Sequence, residues 1–430
     1  MKSLVVISCP IDTHSGYGAR SRDIVRSLIK INKYDVKVIP QRWGNTPFGF
    51  LQHDNPEHKQ IIDCIWAQPQ LPRQPDVWIQ ITVPNEFQPI GKYNIGITAG
   101  IETTICDPSW IDGCNRMNLV LTSSEHAKKV FQDSKFEEKD QQTQQTKRKI
   151  ELTAPIEVLF EGIDTELYKK LDVIPDGDVK DTLDSINEEF NFLFVGHWLQ
   201  GEIGQDRKDV GMLIKVFLET FKDKKQKPGL VLKVSSGNYS ILDRDELLEK
   251  INSIRQSVKG NLPNVYLLHG ELTDEEINEL YNHPKVKAFV TFTKGEGYGR
   301  PIAEFTTSQK PVIASNWSGH LDFLKHATLL GGQLTQLHPS AVVQNMLLAE
   351  SSWFTVDYKE ASKVLEEVYK NYNKTLDLAK KQAYLSRTEF SLDKMKELLD
   401  NIFEEKVPKP VQLKLPQLKK IELPKLKKVE

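Results

Sequence analysis

The 430-residue chain is poor in cysteine: it has four, Cys9, Cys64, Cys106 and Cys114. Cys106 and Cys114 stand eight apart without flanking Cys or His pairs, a spacing that does not describe a zinc site. An excess of one charge is also missing, since 57 Lys plus Arg face 59 Asp plus Glu for a net charge of −2. So balanced a chain has no whole-surface field to attract nucleic acid or an anionic membrane, and any such attraction must be local. Long apolar runs are absent as well. The N-terminal MKSLVVISCP carries one lysine and an apolar run that stops at Ser8, too short for a signal-peptide core. No stretch approaches the roughly 18 apolar residues of a membrane span. The expectation is a cytoplasmic protein with reduced thiols. Hydrophobic residues at 39%, aromatics at 9% and charged residues at 27% exclude a wholly disordered, collagen-like or coiled-coil chain. At one domain per roughly 100–200 residues, two domains are expected.

What is present is an alternation of short apolar runs, turns and helix-period segments, which predicts an α/β protein built on parallel sheets. In the first half the expected strands cover 3–8, 35–40, 76–82, 94–98, 119–124 and 156–160. In the second half they cover 191–196, 229–236, 264–270, 288–293 and 311–316. Between the two sets, 167–189 is charged, lacks an apolar period and carries a Pro-Asp-Gly turn, so it reads as a linker. The predicted organisation is two doubly wound, Rossmann-like domains, 1–166 and 190–377, facing across a cleft. The Gln/Thr/Lys-rich stretch 134–151 reads as a solvated loop or helix extension.

In open α/β sheets ligands bind outside the carboxyl ends of the strands, so the strand-to-helix turns are where chemistry is expected. The first turn, CPIDTHSGYGAR, sets Gly16 and Gly18 before a helix pattern, where bare backbone can approach a phosphate; glycine turns are also ordinary punctuation. In the second, FVGHWLQGEIGQDRKDVG, Gly196 ends a strand and Arg207 and Lys208 precede a helix over 209–221. Cations are disfavoured at that end of a helix unless an anion joins them. The third is the most specific: TFTKGEGYGRPIAEF places a Gly-x-Gly-x-Gly turn at 295–299 and Pro301 in a first helical turn. Glu296 lies in that turn and Glu304 within the helix. Carboxylates accept from hydroxyls, and amides at 297–299 can meet hydroxyl or phosphate oxygens. Helix-dipole stabilisation accounts for Glu304 but not for Glu296 among three glycines. The fourth region, ITVPNEFQPIGKYNIGITAGIETT, holds Glu86 and Glu102, which with Tyr17 are the acceptor-side candidates. Beyond it, Ser124 reads as a helix cap and His126 as a surface helix residue.

The E-x7-E pair Glu296/Glu304 in EGYGRPIAEF, followed by KPVIASNWSGHLDFL, resembles the signature of glycosyltransferase family 4 (group 1). This is the large retaining family of GT-B fold that includes mannosyl- and glucosyltransferases. FVGHW, RKD, SSEHAKKVF, EGID and GYGAR extend the likeness over about residues 3–400. It implies a retaining hexosyltransferase that uses a nucleoside-diphosphate sugar and needs neither cofactor nor metal. Carried over, Arg207 or Lys208 would neutralise the donor diphosphate, and Glu304 would hold the ribose hydroxyls. Glu296, with the amides of Gly297, Tyr298 and Gly299, would hold the sugar. Gly16 and Gly18 would face the diphosphate from the opposite domain, Gly196 and His197 would lie beside it, and Leu268 to Gly270 would lie near the base.

The chain departs from the family in two places. Gly196-His197 stands where many members have Gly-Arg, and NIGITAGIETT where many carry a histidine, leaving Glu102 or a backbone carbonyl for that role. Members also return their last helix to the first domain, and 378–404 is the amphipathic candidate. Metal-dependent transferases of the other common fold use an Asp-x-Asp at a strand end; Asp176-Gly177-Asp178 lies in the linker.

Two other functions compete: a nucleotide-sugar hydrolase or epimerase, and a non-catalytic scaffold of the same fold. The intact set of Glu296, Glu304 and Lys208 speaks against a scaffold. The acceptor stays open among a glycan, a lipid-linked sugar, a protein hydroxyl and a hydroxymethylated DNA base; the compact chain with its short basic tail resembles members encoded by bacteriophages. That tail, 405–430, ends in three octads, VPKPVQLK, LPQLKKIE and LPKLKKVE. Residues 406–430 hold eight lysines and two glutamates, net +6, and four prolines that preclude one long helix. It is expected to be a solvated end or a weak contact to a polyanion or anionic membrane surface.

Overall fold

The computed structural model describes residues 2–409 except Asn45, Gln141 and Asn238. The octads from 410 onward lie outside the described residues. In the first half, β1 (Ser3–Cys9), β2 (Tyr34–Pro40), β3 (Val77–Ile81), β4 (Tyr93–Thr98) and β5 (Leu119–Thr122) are joined by α1 (Gly16–Ile31), α2 (Pro56–Ile62), α3 (Pro108–Cys114) and α4 (Glu125–Asp133). A hairpin of β6 (Phe136–Lys139) and β7 (Thr146–Ile150) then leads to β8 (Ile156–Val158). The sheet is parallel, in the order β2-β1-β3-β4-β5-β8. Its inner strands are buried along almost their whole length because both faces are covered, whereas the edge strand β2 alternates, with Asp35 exposed. Val5 and Ile7 pack with Ile24, Val25 and Leu28 of α1, while Leu4 and Val6 share the opposite core with Trp110 and Phe131.

A short helix, α5 (Asp178–Asp184), precedes the second sheet. Its strands are β9 (Asn191–His197), β10 (Gly229–Ser235), β11 (Val265–Leu268), β12 (Val286–Val290), β13 (Val312–Ser315) and β14 (Thr328–Leu330). They are connected through α6 (Val210–Phe221), α7 (Ile241–Ser257), α8 (Asp274–Asn282) and α9 (Arg300–Thr306). All pair in parallel, in the order β11-β10-β9-β12-β13-β14. Connectivity therefore reverses direction between β9 and β12 in this sheet and between β1 and β3 in the first, the crevices where such sheets take ligands.

Three expectations change. The stretch 167–189 is not a free linker: Val179, Leu183 and Ile186 are buried against the second domain, and their spacing of four and three residues is a helical period too short to stand out among the charges around it. The polar stretch 134–151 is the β6–β7 hairpin, whose outward charges pair locally, as Arg148 does with Asp112 at 2.9 Å. The single helix expected over 378–404 is two, α11 (Tyr372–Glu389) and α12 (Leu392–Lys406). The break at Phe390–Ser391 lets the chain cross between domains: Ile163 N–H donates to the Phe390 carbonyl at 2.8 Å, and Leu392 N–H to the Ile163 carbonyl at 2.7 Å. Beyond it, Met395, Leu399 and Phe403 complete the first domain's core. After β14 come a hairpin of β15 (Gly332–Gln336) and β16 (Ser352–Val356), then α10 (Tyr358–Lys370). This hairpin reaches domain one, with Thr104 N–H donating to the Ser352 carbonyl at 2.9 Å.

Candidate active site

Lys208 and Arg207 lie on the loop after β9, and Glu296 lies on the loop after β12, so the reversal point of the second sheet brings them together. The Lys208 Nζ donates to Glu296 Oε1, and Arg207 Nη1 donates to Glu296 Oε2 at 3.3 Å and to the Gly295 carbonyl at 2.8 Å. The Glu296 amide donates to Ser318 Oγ at 2.9 Å, and the Glu296 carbonyl accepts from Gly319 N–H at 3.0 Å. Ser318 takes a left-handed φ of 80°, a conformation uncommon outside glycine, which sets that hydroxyl under the loop. Burial pushes the Glu296 carboxyl up, but Lys208 and Arg207 outweigh it and hold the group at about 2. Burial pulls Lys208 down, opposed by Glu296. The site is therefore an ionised carboxylate between two cations, in a setting where water screens little.

The same loop meets domain one backbone to backbone. A Cβ on Gly295 would lie 2.0 Å from the Glu102 carbonyl oxygen, and one on Gly297 2.4 Å from that of Ala99, so side chains there are incompatible with this approach. Ser123 of domain one donates to the carbonyls of Ala99 and Gly297. Glu102 faces Arg207 Nη1 at 3.9 Å. Tyr17 stands beside them, its hydroxyl accepting from Ala99 N–H at 3.1 Å and its ring stacked on Trp43 at 4.0 Å. Glu86 takes no part in this cluster; it is exposed, and its carboxylate accepts from Thr82 at 2.5 Å.

The other predicted residues lie around this centre. Gly299 caps α9 with φ 97°, and Tyr298 turns its ring into the core against Phe323, leaving only its backbone for a ligand. Glu304 is 6% exposed and accepts from Arg300 Nε at 2.8 Å; burial pushes its carboxyl up to about 8 against the pull of Arg300. Gly16 opens α1, where Ser15 caps the helix by accepting from Gly18 N–H at 3.0 Å. This loop meets domain two through His14 and Glu271, 2.5 Å apart. Gly196 closes β9, and His197 Nδ1 is 3.2 Å from Ser235 Oγ. The Gly270 carbonyl accepts from Lys233 Nζ at 2.6 Å, and burial brings that lysine down to about 8.

His126, expected on the surface, sits edge-on to Trp317 of the other domain at 4.6 Å, and burial pulls its pKa down to about 4. A lone helix residue gives no sequence sign of a partner from another domain. Among the described residues, no three His, Cys, Asp or Glu side chains gather as metal ligands. Asp243 and Asp245 form a further Asp-x-Asp, but Asp243 is engaged by Ser236 and by His269 at 2.8 Å, and Asp245 by Arg244 at 3.0 Å.

No family model matches the chain, and no curated protein resembles it significantly in sequence. Solved structures resemble it in fold. A glycosyltransferase from Rickettsia africae superposes with a TM-score of 0.60 at 11% identity, over 94% of this chain and 98% of that one. Sucrose-phosphate synthase from Thermosynechococcus elongatus gives 0.61 at 11% identity, over 94% and 98%. Anabaena HepE in complex with UDP and glucose gives 0.57 at 13% identity, over 94% and 99%. The fold is GT-B. Likeness at this identity speaks for the fold, and the chemistry has to come from the side chains above.

Proposed function

We propose that the cleft is the active site of a metal-independent, retaining glycosyltransferase that moves a hexose from a nucleoside-diphosphate sugar to an acceptor hydroxyl. The observation that carries this reading is the cluster of Arg207, Lys208 and Glu296 at the strand-order reversal, pressed against domain one. In transfer, the bond between the anomeric carbon and the diphosphate oxygen breaks, the acceptor oxygen bonds to that carbon as its proton passes to the departing diphosphate, and negative charge grows on the leaving group. Lys208 and Arg207 are placed to meet that charge, and preorganised cations in a poorly screened site stabilise it effectively. Glu296, kept ionised by the same two cations, is placed to accept from sugar hydroxyls. Glu304 would accept from the ribose, and Glu102 and Tyr17 would face the acceptor.

UDP-sugars are the donors to try first, since the Anabaena neighbour was solved with UDP-glucose. The test is a transfer and hydrolysis screen of UDP-, GDP- and ADP-sugars with mass spectrometry of the products, run with and without EDTA. EDTA-resistant sugar transfer is the expected result. Turnover that chelation abolishes and magnesium or manganese restores would contradict the metal-free part, and turnover by hydrolysis alone would favour the hydrolase.

A further inference from the structure

Arg300 occupies a position that helix electrostatics disfavours. It is the first residue of α9, where a cation opposes the helix dipole, so its place needs anionic partners. Three acidic side chains surround it, among them Glu304, whose carboxyl burial pushes up to about 8. Nη1 donates to Asp23 Oδ2 at 2.6 Å, Nε donates to Glu304 Oε1 at 2.8 Å, and Glu161 Oε2 lies 4.0 Å from Nη1. Asp23 belongs to α1, and Glu161 follows β8 at the exit from domain one. One guanidinium therefore spans the cleft while gripping Glu304. Arg20, whose charge also bears on Glu161, is committed to the carbonyls of Leu159 and Phe160 and does not replace it. The cluster is enclosed: Asp23 is 3% exposed, Glu304 6% and Glu161 8%.

We propose that Arg300 is a positioning residue that couples occupancy of the donor site to closure of the two domains. The proposal rests on the reading of Glu304 as the carboxylate that takes the ribose. A carboxylate offers more than one acceptor site, so Arg300 Nε on one oxygen fixes its plane while the other can receive a hydroxyl. Asp23 holds Arg300 in that orientation only when the domains are together. Separation removes Asp23 and Glu161, and the arginine that orients Glu304 loses its anchor. A donor that needs the oriented carboxylate thus binds the closed arrangement better, and by linkage its binding draws the domains together.

Titration calorimetry with UDP, GDP and ADP, followed by small-angle X-ray scattering with the tightest binder, tests this on wild type, Asp23→Asn, Glu304→Gln and the double variant. The wild type should contract on binding. Asp23→Asn, which touches no donor group, should bind about tenfold more weakly, within the 5–150-fold span of coupled sites, and should fail to contract. The double variant should lose far less than the product of the single losses, because Asp23 affects the donor only by way of Arg300 and the orientation of Glu304. Multiplying losses, or an Asp23→Asn protein that binds and contracts like wild type, would overturn the coupling. A wild type that binds none of the three nucleotides would instead overturn the donor-site reading itself. Should Asp23→Asn melt before it can be assayed, Glu161→Gln enters the same cycle with a smaller loss in the same direction, because Glu161 stands 4.0 Å from Arg300 and faces Arg20 as well; multiplying losses there would likewise overturn the coupling.

Discussion

Arg207 donates to the Gly295 carbonyl at 2.8 Å and to the Glu296 carboxylate at 3.3 Å, so one guanidinium fixes both the backbone and the side chain of the loop after β12. The groups proposed to meet the diphosphate and the sugar are thereby one assembly. A diphosphate in the proposed donor site would compete with Glu296 for the two cations.

Lys208→Ala should weaken nucleoside-diphosphate binding more than Arg207→Ala, because Arg207 is divided among Gly295, Glu296 and Glu102. A hydrogen bond to a charged group is worth about 1.5–3 kcal/mol, so the Lys208 loss should be roughly ten- to 150-fold in affinity. Calorimetry decides it, and unchanged affinity in both variants would move the phosphate site elsewhere.

The two glutamates should separate kinetically. Glu304→Ala should raise the donor dissociation constant, again by about 1.5–3 kcal/mol, whereas Glu296→Ala should lower kcat more than donor affinity. Near-wild-type kinetics for both would reduce the pair to helix-terminus electrostatics.

Acid should expose the Lys208–Glu296 pair. With the folded Glu296 carboxyl at about 2 and the ordinary value at 4.5, the pair's contribution is present above pH 4.5 and is lost as pH falls toward 2. The stability gap between wild type and Lys208→Met, read from urea unfolding, should therefore narrow over that interval. A gap constant from pH 6 down to about 2.5 would show that Glu296 is not held ionised by Lys208.

Gly297→Ala tests the contact between domains. Its added methyl would lie 2.4 Å from the Ala99 carbonyl oxygen. Forcing an atom into a filled space costs about 1–3 kcal/mol, here at closure rather than in either core, so transfer should slow by roughly five- to 150-fold. The melting temperature should change little. A large loss of thermal stability would place the contact in the folding core instead.

All six strands of the first sheet and five of the second were legible because buried parallel strands are largely apolar runs, whereas β14, three residues long, was not. In the glycine-rich turn at 295–299, Glu296 stood out because helix-dipole stabilisation accounts for Glu304 but not for Glu296. Arg207 and Lys208 stood out as cations at the wrong end of a helix. The same logic applies to Arg300, yet its partners Asp23 and Glu161 lie 277 and 139 positions away, and no local pattern links them. The β15–β16 hairpin was hidden for another reason: Gln333, Thr335 and Gln336 put polar residues on both faces, so no alternation appears. Ser318 could not be read as a support for Glu296, because a left-handed serine has no sequence signature.

Proton NMR of the first-formed product tests the central claim most directly, with the enzyme given the donor and acceptor that the product screen identifies. The account predicts that the anomeric proton of the transferred hexose keeps the coupling of the donor's configuration. A product of inverted configuration would contradict it.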